Sequence, residues 1–139
     1  LSEVEYVDKR VFGFKVELGE LANESGFFKY WKKSHKVDVL NELEELVDCV
    51  HLLLSVGITR GYTKFYKSVE IDYEMFEDFP VDELFYEVMS NPLDSSGKWL
   101  MAFKYLLIIG YKLGHSEDAI FTEYKRKNEV NNYRQRNDY

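Results

Sequence analysis

The chain predicts an all-α helical bundle, and three observations carry that reading. Apolar residues recur every three or four positions over long stretches, the period of a helix with one buried face. Only two prolines and eight glycines punctuate 139 residues, so long uninterrupted elements are expected. Hydrophobic residues make up 45% and aromatics 17%, the composition of a chain that buries a core rather than a disordered one. This length fits one domain spanning residues 1–139, and no internal repeat is visible.

Val4, Val7, Val11, Phe14, Leu18 and Leu21 make the apolar stripe of a first helix of about five turns. Glu17, Glu20 and Glu24 fall on its flank, within roughly 60° of one another. The segment from Gly26 to Lys33 breaks the period and reads as a loop, with Lys29 set among Phe27, Phe28, Tyr30 and Trp31. A second helix is expected from Val37 to Val56, burying Leu40, Leu43, Val47, Val50 and Leu54 and ending at Gly57. Glu45 and Asp48 point to its other side, together with Cys49 and Leu52. Apolar residues beside carboxylates imply that this side meets another surface or a ligand. From Arg60 to Asn91 the sequence is less periodic and reads as a loop followed by a short helix from Val81 to Met89. After the break at Asn91-Pro92, Trp99, Leu100, Phe103, Leu106, Leu107 and Leu113 predict a third long helix closed by Gly114. Ser116 is the expected N-cap of a last helix, with Glu117 and Asp118 in its first turn, running to about Gln135.

A net charge of −7 argues against a duplex-DNA binder, which needs a basic face to displace counterions. It leaves room for a nucleotide, because a divalent cation bridges carboxylate and phosphate. The single cysteine, Cys49, forms no internal disulfide, and no basic-plus-apolar leader is read, so the cytoplasm is the expected compartment. The first residue is leucine rather than methionine, which fits a processed or trimmed N-terminus. The longest apolar runs, Leu52 to Leu54 and Leu106 to Ile109, are too short to span a bilayer.

Chemistry concentrates in two patterns. Glu17-x-x-Glu20 and Glu45-x-x-Asp48 each set two carboxylates side by side on a helix. Two such helices packed together gather four acids. At about 4 Å two unneutralised charges repel by roughly 4 kcal/mol even at an effective dielectric near 20, so the cluster calls for a cation, Mg²⁺ being the natural one, or for separation in solvent. On the last helix Lys127, Asn131 and Arg134 form one polar stripe, with Asn128 and Gln135 alongside. Lysine offers a point charge, arginine a planar fork and asparagine an uncharged donor, a combination suited to phosphate oxygens. Phosphate-binding glycine loops and zinc-site spacings of His35, His51 and His115 are absent.

Four segments in order, Glu-Leu-Gly-Glu-Leu-Ala-Asn-Glu at 17–24, Phe-Lys-Tyr-Trp at 28–31, Glu-Glu-Leu-Val-Asp-Cys-Val-His at 44–51 and Lys-Asn-x-x-Asn-x-x-Arg-Gln at 127–135, resemble the motifs of the dimeric deoxyuridine triphosphatases. These belong to the all-α nucleoside triphosphate pyrophosphohydrolases, with the MazG-like proteins. The resemblance covers most of the chain and implies Mg²⁺-dependent hydrolysis of dUTP, and of dUDP, to dUMP by a homodimer with its active site near the dimer interface. It implies Glu17, Glu20, Glu45 and Asp48 as catalytic metal ligands, Lys29, Lys127, Asn131 and Arg134 as phosphate-binding residues, and Trp31, His51 and Leu52 as neighbours of the uracil. Glu17, Glu20 and Glu24 are the candidates for taking a proton from the attacking water, and spacing does not rank them. The family's upstream helix, which carries polar residues that read the base, has no counterpart before Val4. Two other functions fit the residues: a related pyrophosphohydrolase acting on another nucleoside triphosphate, and a non-catalytic helical interaction module.

Overall fold

The computed structural model describes residues 1–66 and 69–136, with side chains throughout except at Phe65, Arg134 and Gln135. Five α-helices follow one another: α1 (Glu3–Ser25), α2 (Val39–Thr59), α3 (Val81–Ser90), α4 (Ser96–Lys112) and α5 (Glu117–Arg136). No strand occurs among the described residues.

Helix α2 is the hub, packing on α1, α4 and α5. Arg10 reaches Thr59, Gly13 faces Leu52, and Glu17 meets Glu45 and Asp48. Numbers rise on α1 as they fall on α2, so the two helices run antiparallel. This register explains two departures from the expected stripes. Val4 is 70% and Leu40 73% exposed, and each lies in the first turn of its own helix, where the facing helix is at its end. Of the remaining stripe residues Val7, Phe14, Leu18, Leu21, Val47 and Val50 are buried, and Val11, Leu43 and Leu54 are partly buried against the same core. Leu46, Cys49, Leu53 and Val56 are buried too, because α2 has neighbours on more than one side. Each fully buried leucine or phenylalanine contributes roughly 1.5–3 kcal/mol.

Local signals fix the helix ends. Ser2 and Glu5 form a capping box at the start of α1, and Asp38 caps α2. Gly57 does not end α2. The helix runs on to Thr59, and the missing side chain instead makes room for Trp99, whose ring atoms would lie 2.4 Å from a Cβ there. Trp99 Nε1 donates to Leu53 O at 2.8 Å, which locks α4 on α2. Gly114, at φ 95°, follows α4, with its N–H on Tyr111 O and that of His115 on Gly110 O. This pairing is a Schellman motif, and it turns His115 inward. Buried His115 Nε2 meets buried Glu42 Oε1 of α2 at 2.6 Å. Ser116 then caps α5, accepting from Ala119 N.

Between α2 and α3 the chain forms two short 3₁₀ turns, Tyr62–Phe65 and Tyr73–Phe76. Their aromatic neighbourhood packs along α4: Tyr62 and Tyr66 on Trp99, Phe76 on Tyr105, and Tyr73 on Tyr111. Helix α3 is tied to α1 by Lys15, whose ammonium donates to Val88 O, Met89 O and Asn91 O at 2.8, 2.6 and 2.5 Å. These carbonyls lie at the end of α3, where intrahelical donors run out, and Val88 O also accepts from Asn91 N at 3.2 Å.

Candidate active site

Where α1 crosses α2, Glu17, Glu45 and Asp48 each offer an oxygen within 4.8 Å of the others. The antiparallel register does this: Glu17 is one turn after Gly13, Asp48 one turn before Leu52, and Gly13 faces Leu52, whose Cδ1 would lie 3.7 Å from a Cβ built there. Leu52 and buried Cys49 form the apolar floor, which answers what the second side of α2 meets: it meets α1.

The electrostatics record the crowding. Burial comes first, then a hydrogen bond and repulsion from Glu17, then Asp48 and Glu20, and together they push the Glu45 carboxyl up to about 7. Burial and the same acids raise the Cys49 thiol as well, so it stays protonated and is no competing soft ligand. Glu20, the fourth expected acid, is exposed and outside the trio, close enough to repel Glu45.

Helix α5 closes the third side. Lys127 Nζ lies 2.7 Å from Asp48 Oδ1 and 3.3 Å from Glu44 O. A cleft of about 320 Å³ opens here, lined by Glu44, Asp48, Arg126, Lys127, Val130 and Asn131. The two mapped members of the expected phosphate stripe thus share one cleft with an expected metal ligand. Arg134 has its backbone in α5, and its side chain lies outside the described residues. His51, one turn beyond Asp48, is exposed with its ring 6.0 Å from that of Tyr124, one turn before Lys127. Lys29 and Trp31 are not drawn into this cluster by any hydrogen bond or ion pair among the described residues. Lys29 sits 6.0 Å from the Phe28 ring, and Trp31, 60% exposed, packs edge-on to Phe28 and Tyr30.

Two features escaped the sequence reading. Arg126 lines the cleft while its guanidinium holds Glu123 at 2.7 Å, and its neighbour position to Lys127 was the available signal. His35 Nε2 meets Glu24 O at 2.8 Å and lies over Gly26, at φ 72°, where a Cβ would come within 2.4 Å of the imidazole. That contact pins the aromatic loop to the end of α1.

A family model described as dUTPase matches residues 1–139. The chain belongs to the all-α dUTPases. The activity of this dUTPase is accordingly hydrolysis of dUTP to dUMP, and the interaction-module alternative falls away. Comparison with curated proteins and with solved structures gives no match. The family depends in general on a divalent metal, and the residues fit one. The donor set is all carboxylate oxygen, the choice of a hard cation, and Glu45 holds a proton that a metal readily replaces. No described helix is long and apolar enough to cross a membrane.

Proposed function

We propose that Glu17, Glu45 and Asp48, with Glu20 at the rim, bind Mg²⁺, and that the triphosphate of dUTP is held beside them by Lys127, Asn131, Arg134 and Lys29. The observation that carries this reading is the convergence of three acids from two helices so tightly that Glu45 keeps a proton to about pH 7. When bound, the metal supplies charge neutralisation for the phosphate oxygens and polarises the phosphorus toward attack. Lys127 adds a point charge and Asn131 an uncharged donor on the same cleft wall. The apolar floor of Cys49 and Leu52 excludes water from beneath the acids, which strengthens every charge interaction above it.

Glu20 is the residue we assign to proton transfer. Of Glu17, Glu20 and Glu24 it alone combines electrostatic reach of the trio with an exposed carboxylate outside it, leaving an oxygen able to accept a proton from water. His51 and Trp31 border the uracil in this reading, with Leu52 contributing its partly exposed edge. The enzyme works on dUDP as well as dUTP, as a homodimer in the cytoplasm. Exposed Phe12 and Val16 on α1 and Tyr86 and Met89 on α3 supply apolar surface for a second subunit.

A panel of nucleoside triphosphates with Mg²⁺ tests the assignment. Hydrolysis of dUTP to dUMP should exceed that of dCTP, dTTP and UTP, and Glu20→Gln should lower kcat by about 10²-fold or more at unchanged folding. Equal turnover of all bases overturns the base assignment. Full activity in Glu20→Gln removes its catalytic role.

A further inference from the structure

Lys127 holds a carboxylate that the reading above gives to a cation. Its ammonium lies 2.7 Å from Asp48 Oδ1, and its second contact, Glu44 O, is also on α2. We propose that Lys127 is a tethered competitor of the metal at Asp48, displaced by the divalent ion and taken over by the nucleotide's phosphate, so that metal and nucleotide bind cooperatively through one side chain. This rests on the trio of Glu17, Glu45 and Asp48 being the cation site.

Three observations support it. First, among the described residues Lys127 is the cation that pairs with the trio, while neighbouring Arg126 is engaged by Glu123 through two of its nitrogens. Second, the ammonium and a divalent ion on one carboxylate repel each other, so each weakens the other's hold on Asp48. Third, the side chain has somewhere to go. Lys127 lines the same cleft as Asn131, one turn further along α5, and its flexible four-carbon stem can carry the charge off Asp48 toward an anion in that cleft.

The consequence is a linkage. Without nucleotide the metal must overcome the ammonium, and affinity at the trio is held down. A phosphate group in the cleft gives Lys127 another anionic partner and removes that opposition. By reciprocity, metal bound at the trio frees Lys127 and raises nucleotide affinity by the same factor.

Calorimetric titration of the full chain with Mg²⁺ alone tests this, on wild type, Lys127→Met and Arg126→Ala, with folding checked by circular dichroism. Methionine keeps the stem and removes the charge. Arg126→Ala removes an equal charge one residue away, without touching Asp48. Lys127→Met is expected to tighten Mg²⁺ binding by about three- to fivefold, the scale of a partly exposed ion pair, and Arg126→Ala by clearly less. In the presence of a non-hydrolysable dUTP analogue the gain in Mg²⁺ affinity should be larger for wild type than for Lys127→Met. A Lys127→Met affinity equal to wild type, or shifted no more than in Arg126→Ala, overturns the competition. Wild type that binds no Mg²⁺ with or without nucleotide overturns the cation site itself, a separate result.

Discussion

Glu45 is the residue on which crowding acts most visibly. Burial and the acids around it lift its carboxyl to about 7, against an ordinary value of 4.5. The folded chain therefore binds an extra proton between about pH 4.5 and 7 that the unfolded chain has released, and stability falls as pH rises through that window. In chelator-treated protein the melting temperature should drop from pH 5 to pH 7.5, and Glu45→Gln should flatten the profile and raise its upper end. A wild-type profile as flat as that of the variant would show that the acids do not crowd. Mg²⁺ must displace the same proton, so calorimetry at pH 6 in buffers of different ionisation enthalpy should show up to about one proton released per ion bound, fading above pH 8. The spacing of Glu17, Glu20, Glu45 and Asp48 announced this chemistry, because carboxylates three apart on a helix share a face. Spacing did not reveal that Glu20 stands outside the trio. That depends on the rotation of α1 against α2, which the spacing along either helix does not carry.

At the scale of elements, two joints hold α4 and α5 onto the hub helix. Trp99 fills the notch at Gly57 and is fixed by its bond to Leu53 O. Gly57→Ala should therefore cost about 1–3 kcal/mol through overpacking, lowering the melting temperature by roughly 3–10 °C. A melting temperature within 1 °C of wild type, read by calorimetry to about that precision, would mean the indole is not held there. The second joint is the buried contact of Glu42 with His115, set up by the turn at Gly114. Glu42→Ala leaves a buried imidazole without its partner and should destabilise by roughly 3 kcal/mol, read by urea denaturation. A loss below about 0.5 kcal/mol would contradict it. Helix existence was legible throughout: apolar periodicity found α1 and α4, Gly114 marked the end of α4, Ser116 the start of α5, and α3 was placed to within a residue, while α1 is more than a turn longer than its stripe implied. The joints were not, because Gly57 reads locally as a helix stop, and only the approach of Trp99 from 42 positions along the chain gives it another purpose. The segment between α2 and α3 reads as a loop in sequence for a related reason. Its tyrosines and phenylalanines have no helical period, and their rings pack on those of α4.

For the whole molecule, the antiparallel pair α1 and α2 presents the acids and α5 brings the bases to them, all within a chain of net charge −7. A homodimer is expected to elute and scatter as twice the chain mass of 16.5 kDa. Phe12→Glu, on the exposed apolar face of α1, should shift it toward the monomer, and a dimer that persists unchanged would remove that face from the interface. The metal reading also has a global readout, since an ion bound only by the folded chain stabilises it by about 2.7 kcal/mol at a hundredfold excess over its Kd. The most direct test is an anomalous difference map from crystals grown with Mn²⁺ and a non-hydrolysable dUTP analogue. A peak bounded by the carboxylates of Glu17, Glu45 and Asp48 is expected, with the analogue's phosphates between it and Asn131. An analogue bound with those three carboxylates free of any peak would contradict it.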